Sequence, residues 1–507
     1  MAPHVPVTIA VDAGTTGVRS LVVDGDGDVV DLAYRELTQH FPRPGWVEHD
    51  PVELWEAVRT TLGEVAGRLD HHGREPVALG ITNQRETVVP WDRRSGEALH
   101  RALVWQDRRT APDCDRLVAA GHLPVVRERT GLVLDPYFSA TKMRWLLTDG
   151  GIEATRPDLA LGTVDSWILW NLTGGAADGV FATDPTNASR TLLFDIVDRR
   201  WSEELAGIFG VPTGALADVR PSSGRFGRVH ASVLGGDSPV TGTPVSGIAG
   251  DQHAALFGQA CFDPGMAKVT YGTGSFILVN AGATCPAPSE GLLTTLAWDL
   301  GGSGPVAYAL EGSVFSSGSA LQWLRDGLGV FGSAAEAEPL ARTVASSEGV
   351  VLVPAFSGLG CPHWDPGARG TITGLSRGIG RAHLTRAVIE AMGFQVRDVV
   401  DAMGAAGTSV QALRVDGGAA VMGLLLQHQA DQVRVPVTRP RSVETTALGA
   451  ATLAGLAEGV WGSLDDLAGL WREDERFLPV EDAAIADARH AVWLRAVDRS
   501  RHWAAAD

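Results

Sequence analysis

Apolar and polar residues alternate over the first part of the chain in the pattern of short strands. The runs Val5–Val11, Val18–Val23 and Asp28–Tyr34 alternate around tight turns, which predicts three neighbouring strands. Asp50-Pro51-Val52-Glu53 then resembles a capping box with proline at the first helical position, and the following apolar residues recur at helical spacing. The run Val77–Thr82 predicts a buried strand. Strands and helices in this order predict an α/β fold.

The second half of the chain repeats this plan. A strand reaches a Gly-Thr turn at Gly14-Thr15 and again at Gly272-Thr273, and a second apolar strand follows each turn. Farther on, Ala382–Met403 predicts a helix, Val433–Val437 a strand, and the alanine- and glycine-rich Glu444–Val460 a closely packed helix. A duplicated domain explains this repetition better than chance.

The repetition predicts two domains that meet in a cleft. We place the boundary between Gly258 and Gly265, so that the domains span residues 1–258 and 259–507. No low-complexity linker separates the two halves.

Composition narrows the class of protein. Hydrophobic residues make up 45% of the chain and charged residues 20%, as in globular domains. The net charge of −18 argues against nucleic acid or an anionic membrane surface as a partner. The sequence has no apolar run long enough to span a bilayer, no signal-peptide pattern, and four cysteines without a CxxC motif. We therefore expect a reduced, cytoplasmic protein without membrane insertion.

The stretch Pro244–Phe276 combines a carboxylate with an anion-binding turn. Gly247 and Gly250 are expected to let the backbone turn sharply before Asp251, which is expected to begin and cap a helix. Backbone amides at the tip of the following hairpin, Gly272–Gly274, suit a phosphate. Together these features predict a phosphoryl-transfer site at the domain junction, although each alone also fits an ordinary helix start or hairpin.

The nucleotide-binding pattern is not that of a P-loop. The chain's two lysines, Lys142 and Lys268, both lie outside a GxxxxGK[ST] motif. The actin-like ATPase arrangement instead uses two glycine-rich hairpins, one in each domain, with an acidic residue on the first strand. Asp12 with the Gly14 turn, the hairpin at Gly272–Gly274 and the segment Asp416-Gly417-Gly418 fit that arrangement.

Two further segments have both a structural and a functional interpretation. Arg85-Glu86 follows a strand; such a pair is either solvated or holds adjacent hydroxyls, which donate to the carboxylate and accept from the guanidinium. Tyr137 is either a core aromatic at a helix start or a hydroxyl that contacts substrate.

A hydrolase is the rival from another class. Gly374–Gly378 matches the GxSxG nucleophile elbow around Ser376, and His428 is a possible partner. An HGG-type oxyanion loop is missing from the preceding sequence, and the histidines form no HExxH motif that would favour a metallohydrolase.

Several motifs together closely resemble the glycerol kinases of the FGGY carbohydrate kinase family. They are ITNQRET, VWQDRRT, TGLVLDPYFSATK, TDPTNASRT, SGIAGDQHAALFGQ, TYGTGSF, ALEGSVF, LQWLRD and ALRVDGGA, which extend over nearly the whole chain. The resemblance implies an actin-like, ribonuclease H-like fold of two domains, with glycerol and Mg-ATP in the cleft and a homo-oligomer, dimer or tetramer, as the assembly.

The resemblance also implies roles for individual residues. Glycerol would be held by Arg85, Glu86, Trp105, Tyr137, Asp251, Gln252 and Phe276. The nucleotide would be lined by Thr15, Thr16, Gly17, Arg19, Thr273, Gly318, Gln322, Gly418 and Met422, with Asp12 near Mg²⁺. Asp251 is the expected general base. Met422 replaces the usual asparagine near adenine. A kinase for another polyol or a pentulose, and a non-catalytic sensor, are the alternatives on this fold.

Overall fold

The computed structural model describes residues 5–302 and 304–504. The strands of the first lobe, residues 5–258, are β1 Val5–Ala13, β2 Gly17–Val23, β3 Val29–Glu36, β4 Glu48–His49, β5 Arg74–Asn83, β6 Val88–Asp92, β7 Ala102–Leu103, β8 Leu159–Thr163, β9 Ala182–Thr183, β10 Phe194–Asp195, β11 Arg200–Trp201, β12 Asp218–Val219, β13 Ser223–Arg228 and β14 Pro244–Gly250. Its helices are α1 Pro51–Leu69, α2 Ala111–Ala119, α3 Leu123–Thr130, α4 Ser139–Thr148, α5 Val164–Leu172, α6 Pro185–Ala188, α7 Glu203–Phe209 and α8 Asp251–Gly258.

The remaining elements belong to the second lobe, which begins at residue 266. Its strands are β15 Met266–Tyr271, β16 Ser275–Gly282, β17 Leu293–Asp299, β18 Val306–Val314, β19 Val351–Val353, β20 Thr371–Thr373, β21 Ala412–Asp416, β22 Val437–Pro440 and β23 Glu473–Phe477. Its helices are α9 Gly318–Gln322, α10 Ala337–Ala341, α11 Arg381–Ala405, α12 Gly423–Val433, α13 Thr445–Ala457, α14 Leu464–Leu470 and α15 Ala483–Ser500.

Two mixed sheets organise the lobes, and their central strands follow one topology. The first sheet has the order β13-β14-β5-β1-β2-β3, in which β1, β2 and β3 are antiparallel while β5 and β14 continue parallel to β1. In the second sheet β15, β16 and β18 are antiparallel, and β21 and β22 continue parallel to β15. The repeat predicted from the two Gly-Thr turns is therefore present as a repeated strand order.

The start of α1 differs in one detail from the predicted capping box. The Asp50 carboxylate accepts hydrogen bonds from the N–H groups of Val52 and Glu53, at 2.8 and 3.5 Å. The Glu53 carboxylate accepts a hydrogen bond from the Thr38 N–H at 2.8 Å, not from the Asp50 N–H as in a capping box. Glu53 therefore anchors the segment before the helix at Thr38. The helix start is as predicted, but the reciprocal bond of a capping box is replaced.

The strand predicted over Val433–Val437 is wrong. Helix α12 continues to Val433, Arg434 ends it in the left-handed region at φ 59°, and β22 begins only at Val437. Val433 and Val435 pack against the core of the second lobe, so the alternating apolar residues serve a helix end and a connector instead of one strand.

Helices α8 and α13 form a layer between the two sheets. A Cβ added at Gly449 of α13 would lie 1.8 Å from the Ala254 carbonyl oxygen, and one added at Gly258 of α8 would lie 2.0 Å from that of Thr445. The two backbones are therefore in direct contact, as the composition of Glu444–Val460 predicted. In the described part of the chain, no helix combines the length and the apolar character needed to cross a bilayer.

Candidate active site

Three parallel strands of the first sheet end side by side at one edge, and each delivers a polar residue there. Asp12 lies near the end of β1 and is paired with Thr82 on β5, while Gly250 at the end of β14 is paired with Asn83. Arg85 follows β5, and Asp251 follows β14. Ligand sites of open α/β sheets form outside the carboxyl ends of parallel strands. The strand order therefore brings these residues together.

Asp251 lies in contact with the predicted substrate residues. Its Oδ1 is 3.2 Å from Nε of Arg85, and Arg85 Nη2 donates to the Tyr137 hydroxyl at 3.3 Å. Burial raises the pKa of Asp251, and the Arg85 guanidinium opposes that rise. The arrangement is a half-buried carboxylate whose proton affinity is higher than in water and whose ionised form is stabilised by Arg85, the Gln252 N–H and Lys268.

The glycines before Asp251 have a different role from the predicted one. Gly250 is extended, at φ −60° and ψ 150°, and Gly247 lies within β14, so the chain makes no sharp turn at either. A Cβ at Gly250 would lie 2.6 Å from Cγ of Arg85, so this glycine allows Arg85 to cross the backbone. Asp251 is the first residue of α8 and accepts from the Gln252 N–H at 2.6 Å, while Gly250 occupies the N-cap position.

Arg85 and Glu86 are buried, which excludes the solvated-loop interpretation. Their exposed fractions are 2% and 1%. Glu86 has φ 61°, in the left-handed region, a conformation that non-glycine residues adopt mainly where the surrounding structure imposes it. Burial raises the pKa of Glu86, while Arg85 and Arg190 lower it. The cost of this backbone and of two buried charges is consistent with a functional site.

Aromatic rings from both lobes enclose the same space. The ring of Trp105 lies 5.7 Å from that of Tyr137 and 6.3 Å from that of Phe276, which belongs to β16 of the second lobe. The Trp105 Nε1–H donates to the Thr15 hydroxyl at 2.8 Å. Predicted substrate and nucleotide residues thus meet at Trp105.

The turn of the second lobe that was predicted to bind phosphate, Gly272–Gly274, is hydrogen-bonded to the start of α9. Gly272 donates its N–H to the Gly274 carbonyl at 2.8 Å, and the Gly318 N–H donates to the Gly272 carbonyl at 3.0 Å. A Cβ at Gly318 would lie 2.5 Å from that same oxygen. Thr273 at the tip and Gln322 at the end of α9 are exposed. Thr273 and Gly318 therefore lie next to each other, and Gln322 lies about one turn further along α9.

The turn of the first lobe is closed by the Gly14 N–H, which donates to the Gly17 carbonyl at 3.0 Å, leaving Thr15 and Thr16 at the tip. Arg19 on β2 forms an ion pair with Glu444 at 2.6 Å, so its charge is already partly neutralised by the second lobe. The sequence-based prediction placed Arg19 at the nucleotide and did not include this partner.

The two residues predicted for the adenosine side are placed differently from each other. Gly418 is exposed at the start of a 3₁₀ turn, and a Cβ there would meet only open space. Met422 is only 6% exposed and packs in the core of the second lobe with residues such as Leu425. The structure therefore brings Gly418, but not the Met422 side chain, to the surface.

Asp12 is the predicted magnesium residue. Burial, together with the nearby carboxylates Asp251 and Glu444, raises the pKa of Asp12 to about 7, although Arg19 acts in the opposite direction. A metal-ligand set of three or more His, Cys, Asp or Glu side chains does not occur within residues 5–302 and 304–504. Mg²⁺ is commonly held by one or two carboxylates together with waters and substrate phosphates. A single carboxylate at the edge of the sheet fits that mode of binding.

Sequence reasoning missed four charged residues of the cleft, namely Arg190, Lys268, Glu311 and Glu444. Lys268 is buried and donates to the Gln252 side-chain oxygen and, at 2.9 Å, to the Thr270 hydroxyl. Burial lowers the pKa of Lys268 to about 8. The sequence feature that could have indicated Lys268 and Glu311 is a single charged residue inside a largely apolar strand. A buried charge of this kind needs a partner of opposite charge or a hydrogen bond.

The structure gives no support to the hydrolase interpretation. Ser376 is exposed in the loop between β20 and α11, whereas His428 is buried with its Nε2 3.1 Å from the Glu390 carbonyl oxygen. A nucleophile elbow requires a tight turn from strand to helix. Here β20 ends at Thr373, and α11 begins only at Arg381.

The fold has two repeated lobes, and each carries a turn with glycine at both ends, Gly14–Gly17 and Gly272–Gly274, which we call the glycine-cornered turns. With the Asp251 carboxylate between them, these features define a two-lobed α/β phosphotransferase. The family models of the N-terminal and C-terminal domains of the FGGY family of carbohydrate kinases match residues 7–258 and 267–458, and the chain belongs to this family. Its structural neighbours are sugar kinases of the actin-like ATPase fold, which confirms the predicted fold class.

The chain is similar to named relatives over nearly its whole length. It is 50% identical over 499 residues to a glycerol kinase from Carboxydothermus hydrogenoformans and 52% identical over 503 residues to one from Dechloromonas aromatica, with 98% of each chain covered. The crystal structure of Plasmodium falciparum glycerol kinase with ADP superimposes with a TM-score of 0.92 at 33% identity, covering 98% of both chains. A xylulose kinase from Rhodospirillum rubrum superimposes with a TM-score of 0.85 at 26% identity, covering 96% of this chain and 98% of the other.

Proposed function

We propose that the protein transfers the γ-phosphoryl group of ATP to glycerol and forms sn-glycerol 3-phosphate and ADP. The observation that carries this proposal is the contact of Arg85 with both Asp251 and Tyr137, at 3.2 and 3.3 Å, where the parallel strands end. The identity of about 50% to glycerol kinases over the whole chain supports glycerol as the acceptor.

The polyol would bind between the charged cluster and the aromatic rings. Arg85 donates to hydroxyl oxygens and Glu86 accepts from hydroxyl hydrogens, which suits adjacent alcohol groups. The rings of Trp105, Tyr137 and Phe276 would cover the carbon chain, and Gln252, held by Lys268, would supply a further polar contact. A small acceptor with hydroxyls on one side and carbon on the other matches these surfaces.

Asp251 would act as the general base. A primary alcohol is a weak nucleophile, and a carboxylate that accepts its proton as the bond to phosphorus forms assists the transfer. Because burial raises the pKa of Asp251, its carboxylate is a better proton acceptor than an aspartate in water. Arg85 keeps it ionised before the reaction.

The Gly14 and Gly272 amides donate within their own turns and are not available to a ligand, in contrast to the prediction for Gly272. The other backbone amides at the two tips, together with Arg19, would offset the negative charge of the nucleotide phosphates. Asp12 would hold Mg²⁺, which when bound supplies neutralisation of phosphate charge. Approach of the two lobes would exclude water, itself a competing phosphoryl acceptor.

Replacement of Asp251 by asparagine tests the proposal directly. Loss of a general base costs about 10²–10⁴-fold in rate, so Asp251→Asn should lower kcat in a coupled assay of ADP formation by at least about 10²-fold. Asp465→Asn is the matched control, because Asp465 also lies in the first turn of a helix but is exposed in α14. Turnover of Asp251→Asn within a few-fold of the unmodified enzyme would remove Asp251 from the role of base.

A kinase for another polyol or a pentulose is the second candidate, favoured by the similarity to the xylulose kinase. A panel of polyols and pentuloses assayed with ATP separates the two. If a pentulose gives the highest kcat/KM, glycerol is the wrong acceptor.

We further propose that the domains are residues 1–258, with the polyol site, first phosphate turn and Asp251, and residues 259–507, with the second phosphate turn and adenosine segment. A cytoplasmic location is supported by the four free cysteines.

A dimer or tetramer is the proposed assembly. Light scattering of the purified protein, which measures its molar mass in solution, tests this proposal.

A further inference from the structure

Glu311 is a charged residue in the middle of a buried strand. It lies on β18 of the second lobe, paired with Leu278 on β16 and Leu293 on β17, and its exposed fraction is 0%. Removing a carboxylate from water is strongly unfavourable unless the charge is paired and hydrogen-bonded. Within β18 the Ser313 hydroxyl donates to Oε1 of Glu311 at 3.4 Å, but the strand carries no cation. The charge therefore requires cationic partners from other elements.

The partners are two arginines of the first lobe. Arg85 donates through Nη1 to Oε2 of Glu311 at 2.6 Å and through Nη2 to Oε1 at 3.0 Å, which is a two-pronged contact. Arg190, which follows α6, donates through Nη2 to Oε1 at 3.1 Å. Both arginines hold the pKa of Glu311 well below its usual range, so the carboxylate is ionised. The ion pairs therefore connect the two lobes.

The geometry of Arg85 follows from this contact. With both terminal nitrogens directed at Glu311, the guanidinium plane is fixed, because a two-pronged pair constrains orientation as well as distance. In that orientation Nε faces Asp251 at 3.2 Å, and Nη2 also reaches the Tyr137 hydroxyl. The contacts of Arg85 with predicted substrate residues thus depend on a carboxylate of the opposite lobe.

Arg190 connects Glu311 to Glu86 by donating hydrogen bonds to both carboxylates. Its Nε donates to Oε1 of Glu86 at 2.7 Å, and its guanidinium lies 5.6 Å from the ring centre of Tyr137. Glu86, Arg190, Glu311 and Arg85 thus form a continuous chain of buried ion pairs around the space assigned to the polyol.

We propose that Glu311 is a positioning residue that orients Arg85, and through Arg190 also Glu86, towards the polyol, so that the second lobe sets the geometry of the acceptor site in the first. This inference rests on the proposed function. Glu311 makes no substrate contact in this scheme, and its effect is confined to acceptor binding and orientation.

Steady-state kinetics of Glu311→Gln test the inference in the full-length protein. The amide keeps the size of the side chain but removes the charge that holds both arginines. We expect KM for glycerol to rise at least tenfold, with KM for ATP within about twofold, because the loss of a buried charged partner acts locally on Arg85 and Arg190. Glu311→Asp, which keeps the charge but shortens its reach, should show a smaller rise of the same kind, and it serves as the test should Glu311→Gln fail to fold.

Glu390→Gln is the matched control. Glu390 is also a buried carboxylate of the second lobe, 4% exposed, and pairs with Arg386 at 2.7 Å and Arg489 at 2.9 Å. The Glu390→Gln substitution should lower the melting temperature of the protein without changing KM for glycerol. Equal rises of both KM values in the Glu311 variants, or glycerol kinetics like those of Glu390→Gln, would overturn the inference. Absence of glycerol phosphorylation by the unmodified enzyme would instead overturn the proposed function.

Discussion

At the scale of single residues, burial and charge decide how the candidate site works. Asp251 and Asp12 both have raised pKa values because they lie below the protein surface near other carboxylates, and each is opposed by one arginine. Each arginine therefore lowers the pKa of one carboxylate, while Asp251 raises the pKa of Asp12, so the two titrations are linked. Glu444, which pairs with Arg19, brings the second lobe into this balance as Glu311 does for Arg85.

The raised pKa of Asp251 predicts the pH dependence of the reaction. A general base works only when ionised, so kcat/KM for glycerol at saturating Mg-ATP should be constant at high pH and fall tenfold per pH unit below the pKa of Asp251. Because that pKa is raised, the fall should begin at a higher pH than for an aspartate in water, whose pKa is about 3.9.

The control for this profile is the residual activity of Asp251→Asn, which should lack the acidic limb. Circular dichroism at each pH separates titration from unfolding. A limb that persists unchanged in Asp251→Asn would assign the titration to another group.

Much of the candidate site could be predicted at this scale. Asp251, Arg85 and Tyr137 lie in short motifs, and the structure brings them within hydrogen-bonding distance. The pairing of Glu311 with Arg85 could not be predicted, because 226 positions separate them and a lone buried charge does not reveal its partner. Whether Met422 faces the nucleotide depends on the packing of α12, which the motif after Gly418 does not specify.

At the scale of elements, glycine contacts hold the central helices together. The sequence predicted a closely packed α13 from its composition, but not that its partners would be α8 and the first sheet. Gly80 of β5 shows the same feature, since a Cβ there would lie 2.1 Å from the Ala450 carbonyl oxygen. The contacts join backbone to backbone, so side-chain rotation cannot relieve an added methyl group.

Substitution of Gly449 by alanine should therefore separate α8 from α13. The added Cβ would lie 1.8 Å from the Ala254 carbonyl oxygen, and overpacking of this kind costs about 1–3 kcal/mol or more. We expect a drop of several degrees in the melting temperature measured by calorimetry.

Gly67→Ala is the control for Gly449→Ala. Gly67 lies in α1 with no atom within 4 Å of an added Cβ, so alanine there should be neutral or stabilise by about 0.5–1 kcal/mol. Equal melting temperatures for the two variants would show that the backbone contact is unimportant.

At the scale of the whole molecule, each half of the sequence has a large core of its own, and smaller hydrophobic clusters join the two halves. Ala10, Leu21 and Val23 of the first sheet belong to one hydrophobic cluster with alanines of α13. Leu278 of β16 belongs to another with Phe257 of α8. The repeated strand order could be inferred from the two Gly-Thr turns. The packing of α13, a helix of the second half, against the sheet of the first half could not, because no local sequence pattern indicates which sheet a helix covers.

The clusters shared between the halves predict that the chain unfolds as one unit. A fragment of residues 1–258 would keep the core of the first lobe but expose the face of the first sheet that α13 covers. The burial lost there is subtracted from a net stability of only about 5–15 kcal/mol, and an exposed apolar face favours association. We expect this fragment to bind a hydrophobic dye and to melt without a cooperative transition, and co-expression with residues 259–507 to restore a single sharp transition. A cooperative melt of residues 1–258 alone would show that the first lobe is an independent folding unit, and the polyol site could then be studied without the second lobe. If the fragment fails as expected, the acceptor site exists only in the assembled molecule, which is the condition under which a carboxylate of β18 can orient an arginine that follows β5.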